Sequence, residues 1–570
     1  MNQIASLISL SVKDLFEIET QVELTRPDPN FGDLTSNVAL KIAKQVSKPP
    51  RDVASVLADA LSNKSELVSK IEVAGPGFLN LWLTDSALLD NLKEQQVEQI
   101  NSCKKILVEY SDPNPFKPLH AGHLYTTLVG DTIARLIERS GAEVIRLNYG
   151  GDVGLHVGKA MWAILKQIDG ENVDDLAKIQ PEQRAQWLGE RYVEGSSAYE
   201  DNQQAKAEII SINKRVYKVH NEDDKTSAFA KIYWECRAWS YDYLRQLYAE
   251  LEVEEFDRFI PESEVFRVGL DTVLSQLKKG VYQESEGAIV YRGEEKDLHT
   301  RVFINSEGLP TYEAKEVGLL LLKWRDYQFD QSIMITANEQ VQYMQVVLAS
   351  VAEFEPMIVE RTKHIAHGMV KLSGGVKMSS RKGSVVTAKD IISSASEAAK
   401  NSSNDVSQNS VLAAIKYAFT KNKIGGDVVY SPEESVALEG NSGPYLQYAH
   451  ARAASIIAKR AKTGNDNLVE QKSVHELALG EDQQLDNSER RLVAKLGEYS
   501  EVINTAIAEL SPHLINSYIY ELAQEFNRFY ENSRVIGSDK QHFRLALVAV
   551  YADTLKDGLS LLGIDAPNEM

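Results

Sequence analysis

Leu107-Val-Glu-Tyr-Ser-Asp-Pro-Asn-Pro-Phe-Lys-Pro-Leu-His-Ala-Gly-His-Leu124 is the stretch on which the reading of this chain turns. Ile106, Leu107 and Val108 form a short apolar run that predicts a strand. Three prolines, Pro113, Pro115 and Pro118, then interrupt regular structure. From about Leu124 the apolar positions Leu124, Leu128, Ile133, Leu136 and Ile137 recur at helical spacing. A strand, a polar turn and a helix N-terminus make an anion site, because free backbone amides and the helix dipole both favour negative charge. His120 and His123 flank Ala121-Gly122, so imidazole donors sit where a bound anion can approach the backbone closely.

Working outward, the 570 residues suffice for three or four domains. No run of roughly 18 apolar residues occurs, so no membrane-spanning helix is expected. Residues 1–10 lack a basic segment and read as an amphipathic helix, not a signal peptide. Cys103 and Cys236 are the only cysteines, which excludes a disulfide framework and four-cysteine zinc sites and points to a reduced cytoplasm. The net charge of −20 argues against indiscriminate coating of nucleic acid, but it leaves room for an RNA held on a local basic face.

Residues 1–100 read as a compact α+β unit, with helical patterns at 4–16, 37–46 and 52–61 and strand-like runs at 21–24 and 70–74. After the opening stretch, Val144-Ile-Arg-Leu-Asn-Tyr-Gly-Gly-Asp-Val-Gly-Leu-His-Val-Gly158 runs from a strand through a glycine cluster into a helix. That pattern predicts a βαβ unit with a parallel sheet. Residues 170–250 are helical and charged and read as an insertion. Strands are expected at 286–291, 299–304 and 332–336, and helices open near Pro310 and Asn338. Lys363-His-Ile-Ala-His-Gly-Met-Val-Lys-Leu-Ser-Gly-Gly-Val-Lys-Met-Ser-Ser-Arg-Lys-Gly383 is a strand leading into a loop crowded with cations and hydroxyls, a polyanion grip. Residues 393–410 read as a linker or exposed loop, and 411–570 as helical throughout.

His120-Ala-Gly-His123 resembles the HIGH signature of class I aminoacyl-tRNA synthetases. Its setting from Glu109 through Asn114 and Lys117 resembles the arginyl form. Lys377-Met-Ser-Ser380 resembles the second class signature, the KMSK loop, and lies in the expected order. Phe31-Gly-Asp-Leu-Thr-Ser-Asn-Val-Ala-Leu40 and Gly75-Pro-Gly-Phe-Leu-Asn-Leu81 resemble the N-terminal appended domain. Glu439-Gly-Asn-Ser-Gly-Pro-Tyr-Leu-Gln-Tyr-Ala-His-Ala-Arg452 resembles the opening of the anticodon-binding domain. The resemblance implies a Rossmann-like α/β catalytic domain with a parallel sheet at 101–400, carrying the insertion at 170–250. It also implies an α+β tRNA-binding domain at 1–100 and an α-helical anticodon-binding domain at 401–570. The implied activity is that of an arginine–tRNA ligase using ATP with Mg²⁺ and no zinc. The implied partners are tRNA(Arg), arginine and ATP, with no membrane, for a cytoplasmic monomer.

Residue by residue, the resemblance implies catalytic roles for Lys117, His120, Gly122, His123 and Lys377. ATP contacts are implied at Pro113, Asn114, His120, Gly122 and His123, at His367, Gly368, Met369 and Val370, and at Lys377, Met378, Ser379, Ser380 and Lys382. Ser380 stands where the class signature ends in lysine, and Lys117 is the implied substitute cation, with Lys382 second. Arginine would be held by Glu109, Asn114, Glu262, Tyr312, Glu316 and Gln340, with Glu316 in place of the usual aspartate. A planar guanidinium asks for carboxylates that accept paired N–H donors. Phe31, Asn37, Asn441, Tyr445, Gln447 and Tyr448 are the implied tRNA contacts. Relatives usually carry Trp and Thr-Gln-Phe where this chain has Val153 and Leu155-His156-Val157. Two other readings compete: a class I synthetase for a different amino acid, and a catalytically silent tRNA-binding paralogue, which would be expected to lose both signatures.

Overall fold

A computed structural model describes residues 2–62, 66–93, 95–373, 386–402, 407–463, 477–480 and 483–570. The apolar run of the opening stretch forms β1 (Lys105–Glu109). With β2 (Glu143–Gly150), β3 (Arg258–Pro261), β4 (Gln331–Ala337) and β5 (Thr362–His367) it makes a five-stranded sheet in the order β5-β4-β1-β2-β3. All four pairings are parallel, and Leu107 sits between Ser332 and Ile145. Strand alternation divides β1 between two cores. Ile106 and Val108 pack with α1 (Ala121–Arg139), whereas Leu107 faces the core beneath α6 (Tyr312–Tyr327). Because β2 and β3 lie on one side of β1 and β4 and β5 on the other, the strand order reverses at β1 and β4. In open parallel sheets the crevice at that reversal, beyond the carboxyl ends of the strands, is where ligands bind.

Helix α1 begins at Ala121, earlier than the periodicity indicates, because His120 caps it. It lies against the sheet end so closely that a Cβ on Gly130 would meet the Tyr110 ring at 2.2 Å. Helices α2 (Leu155–Gln167), α3 (Arg184–Asp201) and α4 (Ala228–Glu250) carry the insertion around its own core. Val153 and Val157, which depart from the family's usual residues, are buried in that core beside Phe116 and Met161. The reading of 393–410 as a linker or exposed loop is corrected over 393–402, where Ala388–Ser402 is a helix that buries Ile391, Ala395, Ala398 and Ala399, while 403–406 lie outside the described residues. Its many alanines are strong helix formers, and the serines lie outside the buried set. The strand expected at 21–24 shrinks to Leu24–Thr25.

The helical end of the chain, with α7 (Gln408–Thr420), α8 (Gly443–Thr463), α9 (His513–Asn532) and α10 (Gln541–Leu561), is interrupted among the described residues by a short strand, Val428–Tyr430, which pairs with Val370–Leu372. It shares a continuous apolar core with the N-terminal unit, a four-stranded antiparallel sheet with four α-helices among the described residues. Arg490 clamps the two, bonding Asp85 at 2.9 Å, the Leu83 carbonyl at 2.8 Å and Asp33. Among the described residues no helix is long and apolar enough to cross a membrane.

Candidate active site

The three-proline turn ends on His120, whose Nδ1 accepts the backbone N–H groups of Gly122 at 3.1 Å and His123 at 3.3 Å. That fixes the tautomer: the proton is on Nε2. The His123 ring stacks on it with centroids 3.7 Å apart. Burial holds both imidazoles below their usual pKa, and Lys117 adds to this, so both are neutral N–H donors at neutral pH. A Cβ on Gly122 would press within 3.0 Å of the His120 ring. Buried His367 bonds Thr126 of α1 at 2.6 Å, and Met369 leads into the short strand at Val370 with its N–H on Asp427. Gly368 passes so close to Gly426 that a Cβ would overlap its carbonyl. Lys377, Met378, Ser379, Ser380 and Lys382 lie outside the described residues. The chain on either side of them is anchored nonetheless. Val370–Leu372 is held by its strand partner, and Val386 and Ala388 bond the backbone of Ala121 and Leu119. The described chain that resumes at Val386 is thus hydrogen-bonded to the backbone that opens α1.

Behind this turn the strand ends carry an acidic cluster. Glu109, buried at the end of β1, pairs with the fully buried Lys323 of α6 at 2.7 Å. Glu316, one helical face along α6, accepts the Tyr343 hydroxyl at 3.2 Å through one oxygen, while its other oxygen is buried without a partner. Burial and then the Glu109 charge push its carboxyl up to about 8, against a lowering by Lys323. Asp112 is likewise raised by burial and Glu109. The Tyr149 hydroxyl, also buried and unpartnered, feels the charges of Glu262 and Glu316. Removing Lys323 would leave Glu109 facing Glu316 and Asp112 with no counter-charge. Lys323→Met is expected to destabilise the fold by about 3–5 kcal/mol, seen as a lower melting temperature that a second change, Glu109→Gln, largely restores.

The same cluster makes stability depend on pH. A carboxyl raised in the folded state keeps a proton that the unfolded chain releases near 4.5. Nothing is lost below that pH, and stability falls as pH rises from there to about 8. The melting temperature of Glu316→Gln should therefore gain on that of the parent between pH 5 and 8.

Glu262 opens α5 (Glu262–Leu277) and pairs with buried Lys315 at 2.5 Å. Burial opposes the lysine's charge, but Glu262 outweighs it and holds the ammonium above its ordinary pKa. The glycine cluster fits around these groups. A Cβ on Gly151 would collide with Asn114 Oδ1 at 2.2 Å and approach Glu262 at 3.3 Å, and the Pro113 carbonyl faces Gly150. His156, pushed down to about 3 by burial, donates from Nε2 to the Gly151 carbonyl and leaves Nδ1 buried and unpartnered. Gln340 is exposed but joins the cluster through the Tyr343 hydroxyl at 3.3 Å. The exposed Tyr312 ring lies 5.1 Å from Lys315 Nζ, and Lys117 Nζ sits 4.6 Å from the centre of the Tyr192 ring. One crevice thus gathers Glu109, Asn114, Glu262, Glu316 and Gln340 next to the paired histidines.

The predicted RNA contacts divide. Phe31 and Tyr448 are exposed, and Arg452 lies over the Tyr448 ring at 4.9 Å and over the exposed ring of Tyr530 at 5.5 Å. Tyr445 is half-buried and accepts from Asn527, Asn441 accepts the Tyr417 hydroxyl, and Asn37 keeps a buried unpartnered oxygen. Gln447 offers no surface to RNA: it is wholly buried, with its amide on Asn409 at 3.0 Å and the Asp565 carbonyl at 2.9 Å. Its helix face turns toward the C-terminal segment, which sequence spacing does not reveal.

The family profile described as "tRNA synthetases class I (R), catalytic domain" matches residues 84–431. The chain belongs to the class I arginyl-tRNA synthetase family. Profiles for the arginyl-tRNA synthetase N-terminal domain and the DALR anticodon-binding domain match 2–83 and 446–570. The arginine–tRNA ligase of Cutibacterium acnes is 30% identical over 585 residues, and that of Porphyromonas gingivalis 29% over 616, each covering both chains fully. The solved Thermus thermophilus arginyl-tRNA synthetase shares the fold with a TM-score of 0.75 at 23% identity over both full chains. The Plasmodium falciparum enzyme does so at 0.77 and 20%, covering 100% of this chain and 99% of that one. Within this synthetase framework, sequence reasoning passed over Lys315, Lys323, Tyr149 and His156. Lys323 did leave a signal, a lone cation after Leu319-Leu-Leu-Leu322, where a buried charge implies a buried partner.

Proposed function

We propose that the chain is an arginine–tRNA ligase that joins arginine to ATP as arginyl-adenylate, releasing diphosphate, and passes the arginyl group to the terminal ribose hydroxyl at the 3′ end of tRNA(Arg), releasing AMP. The observation that carries this reading is the unpartnered buried oxygen of Glu316, set in an acidic pocket directly behind two neutral imidazoles. Arginine's carboxylate, ionised at neutral pH, attacks the α-phosphorus in line. The bond to the β-phosphate oxygen breaks, and diphosphate leaves with both electrons. No general base is needed, so the work is positioning and charge stabilisation. His120 and His123 donate to the α-phosphate oxygens. Lys117 and Lys377 hold the departing phosphates, and Lys117 supplies the charge that Ser380 lacks. Pro113, Asn114 and the segment from His367 to Val370 seat the nucleotide.

Glu316 accepts the guanidinium with the Tyr149 hydroxyl beside it, while Asn114 and Gln340 hold the amino-acid end and Glu109, already paired with Lys323, positions the strand end behind them. Glu262, already neutralised by Lys315, shapes the wall. Mg²⁺ accompanies the triphosphate as its counter-ion and relieves its charge. Among the described residues no group of three or more His, Cys, Asp or Glu side chains is placed to hold it. Phe31, Tyr445 and Tyr448 face tRNA, and the working form is a cytoplasmic monomer. A buried acidic pocket rejects side chains that cannot fill its hydrogen bonds, which makes an editing site unnecessary. The test is ATP–diphosphate exchange with a panel of amino acids, with and without tRNA, followed by transfer of labelled arginine. Exchange driven by another amino acid, or by none under either condition, overturns the assignment.

A further inference from the structure

Outside this crevice the insertion carries a cleft of about 650 Å³ between the segment Val173–Lys178 and α4. Its floor is Trp239, buried and fixed by an indole N–H on Glu235 at 2.8 Å. Trp234, held by its own N–H on the Asp224 carbonyl, forms a wall. The guanidinium of Arg184 lies 4.3 Å above the Trp239 ring, and its Nε is buried without a hydrogen-bond partner. Neither Arg184 nor Lys231, both lining the cleft, makes a side-chain hydrogen bond or ion pair with any described residue. Neighbouring cations of the insertion are matched: Arg237 with Asp152, Arg191 with Glu194, Arg215 with Glu171 and Lys225 with Asp223. In a chain with a net charge of −20, two unmatched cations between indole walls are donors waiting for an anion that carries a flat ring. Asp174 and Glu235 at the same cleft disfavour a bare polyphosphate and suit a group that also brings N–H or hydroxyl donors.

We propose that this cleft binds a nucleotide, its base stacked against Trp234 and the Arg184 plane and its phosphate held by Arg184 and Lys231, and that the nucleotide is an unpaired one of the bound RNA. The choice of RNA rests on the ligase reading. It is supported by α3, which runs from Arg184 past Gly189, where a Cβ would meet Pro118 at 3.4 Å, to Tyr192 beneath Lys117. At 1.5 Å per residue the cleft and the histidine turn are about 12 Å apart along that helix.

The test uses the full-length protein, a tRNA(Arg) transcript and AMP. Lys231→Gln, at an exposed position, and Arg184→Gln are each expected to weaken tRNA binding, together by roughly tenfold, and to lower the slope of log Kd on log salt by about 1. The KM values for ATP and arginine in exchange should not move. AMP quenching of tryptophan fluorescence that is lost in the variants, with tRNA affinity intact, would mean that the cleft takes free nucleotide and would overturn the RNA assignment. Unchanged tRNA affinity and unchanged AMP quenching would overturn the cleft altogether. A wild-type chain that binds tRNA through the cleft but activates no arginine would instead sink the ligase reading.

Discussion

Glu316→Gln is expected to cut kcat/KM for arginine in the exchange reaction by about 10³-fold while leaving the KM for ATP near its parent value. Among the described residues Glu316 is the one acid of the crevice with a buried oxygen that has no hydrogen-bond partner, so it is the group with most to gain from a guanidinium. Replacing it by an amide leaves a buried cation against a neutral carbonyl and an N–H group, and losing one member of a buried charged pair costs about 4 kcal/mol. Stability should move the other way. With no ligand, Glu316 is held protonated by burial and Glu109, so the amide relieves a repulsion and the melting temperature should hold or rise. Lost activity in a fold at least as stable separates recognition from unfolding. Glu316→Asp, which keeps the charge and retracts it by one methylene, should cost far less than the amide. Because arginine needs the ionised carboxylate and the free carboxyl titrates near 8, the arginine KM should fall as pH rises from 6 to 8. A pH-independent KM, or an amide variant with unchanged arginine kinetics, would remove Glu316 from this role.

The second large effect concerns His120, which does two things at once. Its Nδ1 caps α1, and its Nε2–H is aimed away from the helix as a donor. Alanine would remove both, mixing a loss of about 1 kcal/mol of helix stability with the loss of catalysis. Asparagine separates them, because its side-chain oxygen is a good N-cap acceptor while its amide is too short to reproduce the far imidazole nitrogen. His120→Asn is therefore expected to keep the parent melting temperature and to lower kcat for arginine activation by roughly 10²–10³-fold, the scale of one lost donor to a developing oxyanion. Single-turnover formation of arginyl-adenylate measures it directly. An asparagine variant with full activity would show that His120 only caps the helix.

Much of the crevice is legible in the order of residues. Strand, turn and helix around Glu109 to His123, the glycine cluster at Gly150–Gly154 and the basic loop after His367 are local patterns, and periodicity reports local structure. The linker reading failed at 393–402 for the same local reason: a serine- and alanine-rich run has no strong apolar stripe, yet its small side chains pack a helix against the core. Gln447 failed differently, since nothing nearby in the chain announces that the segment around Asp565 returns to cover it.

By itself the sequence determined which residue types meet phosphate and guanidinium, the order in which they come, and the family to which they belong. Tertiary structure alone decided their partners. β4 lies beside β1, so α6 brings Lys323 to Glu109 across more than two hundred residues, cancels that charge and leaves Glu316 as the unsatisfied acid. Lys315 similarly neutralises Glu262, and the backbone at Val386 to Ala388 bonds that of Leu119 and Ala121 beside His120. A side chain's type is written locally. Whether its charge is matched, and so whether it is free to bind, depends on strand order and burial, which are properties of the assembled sheet.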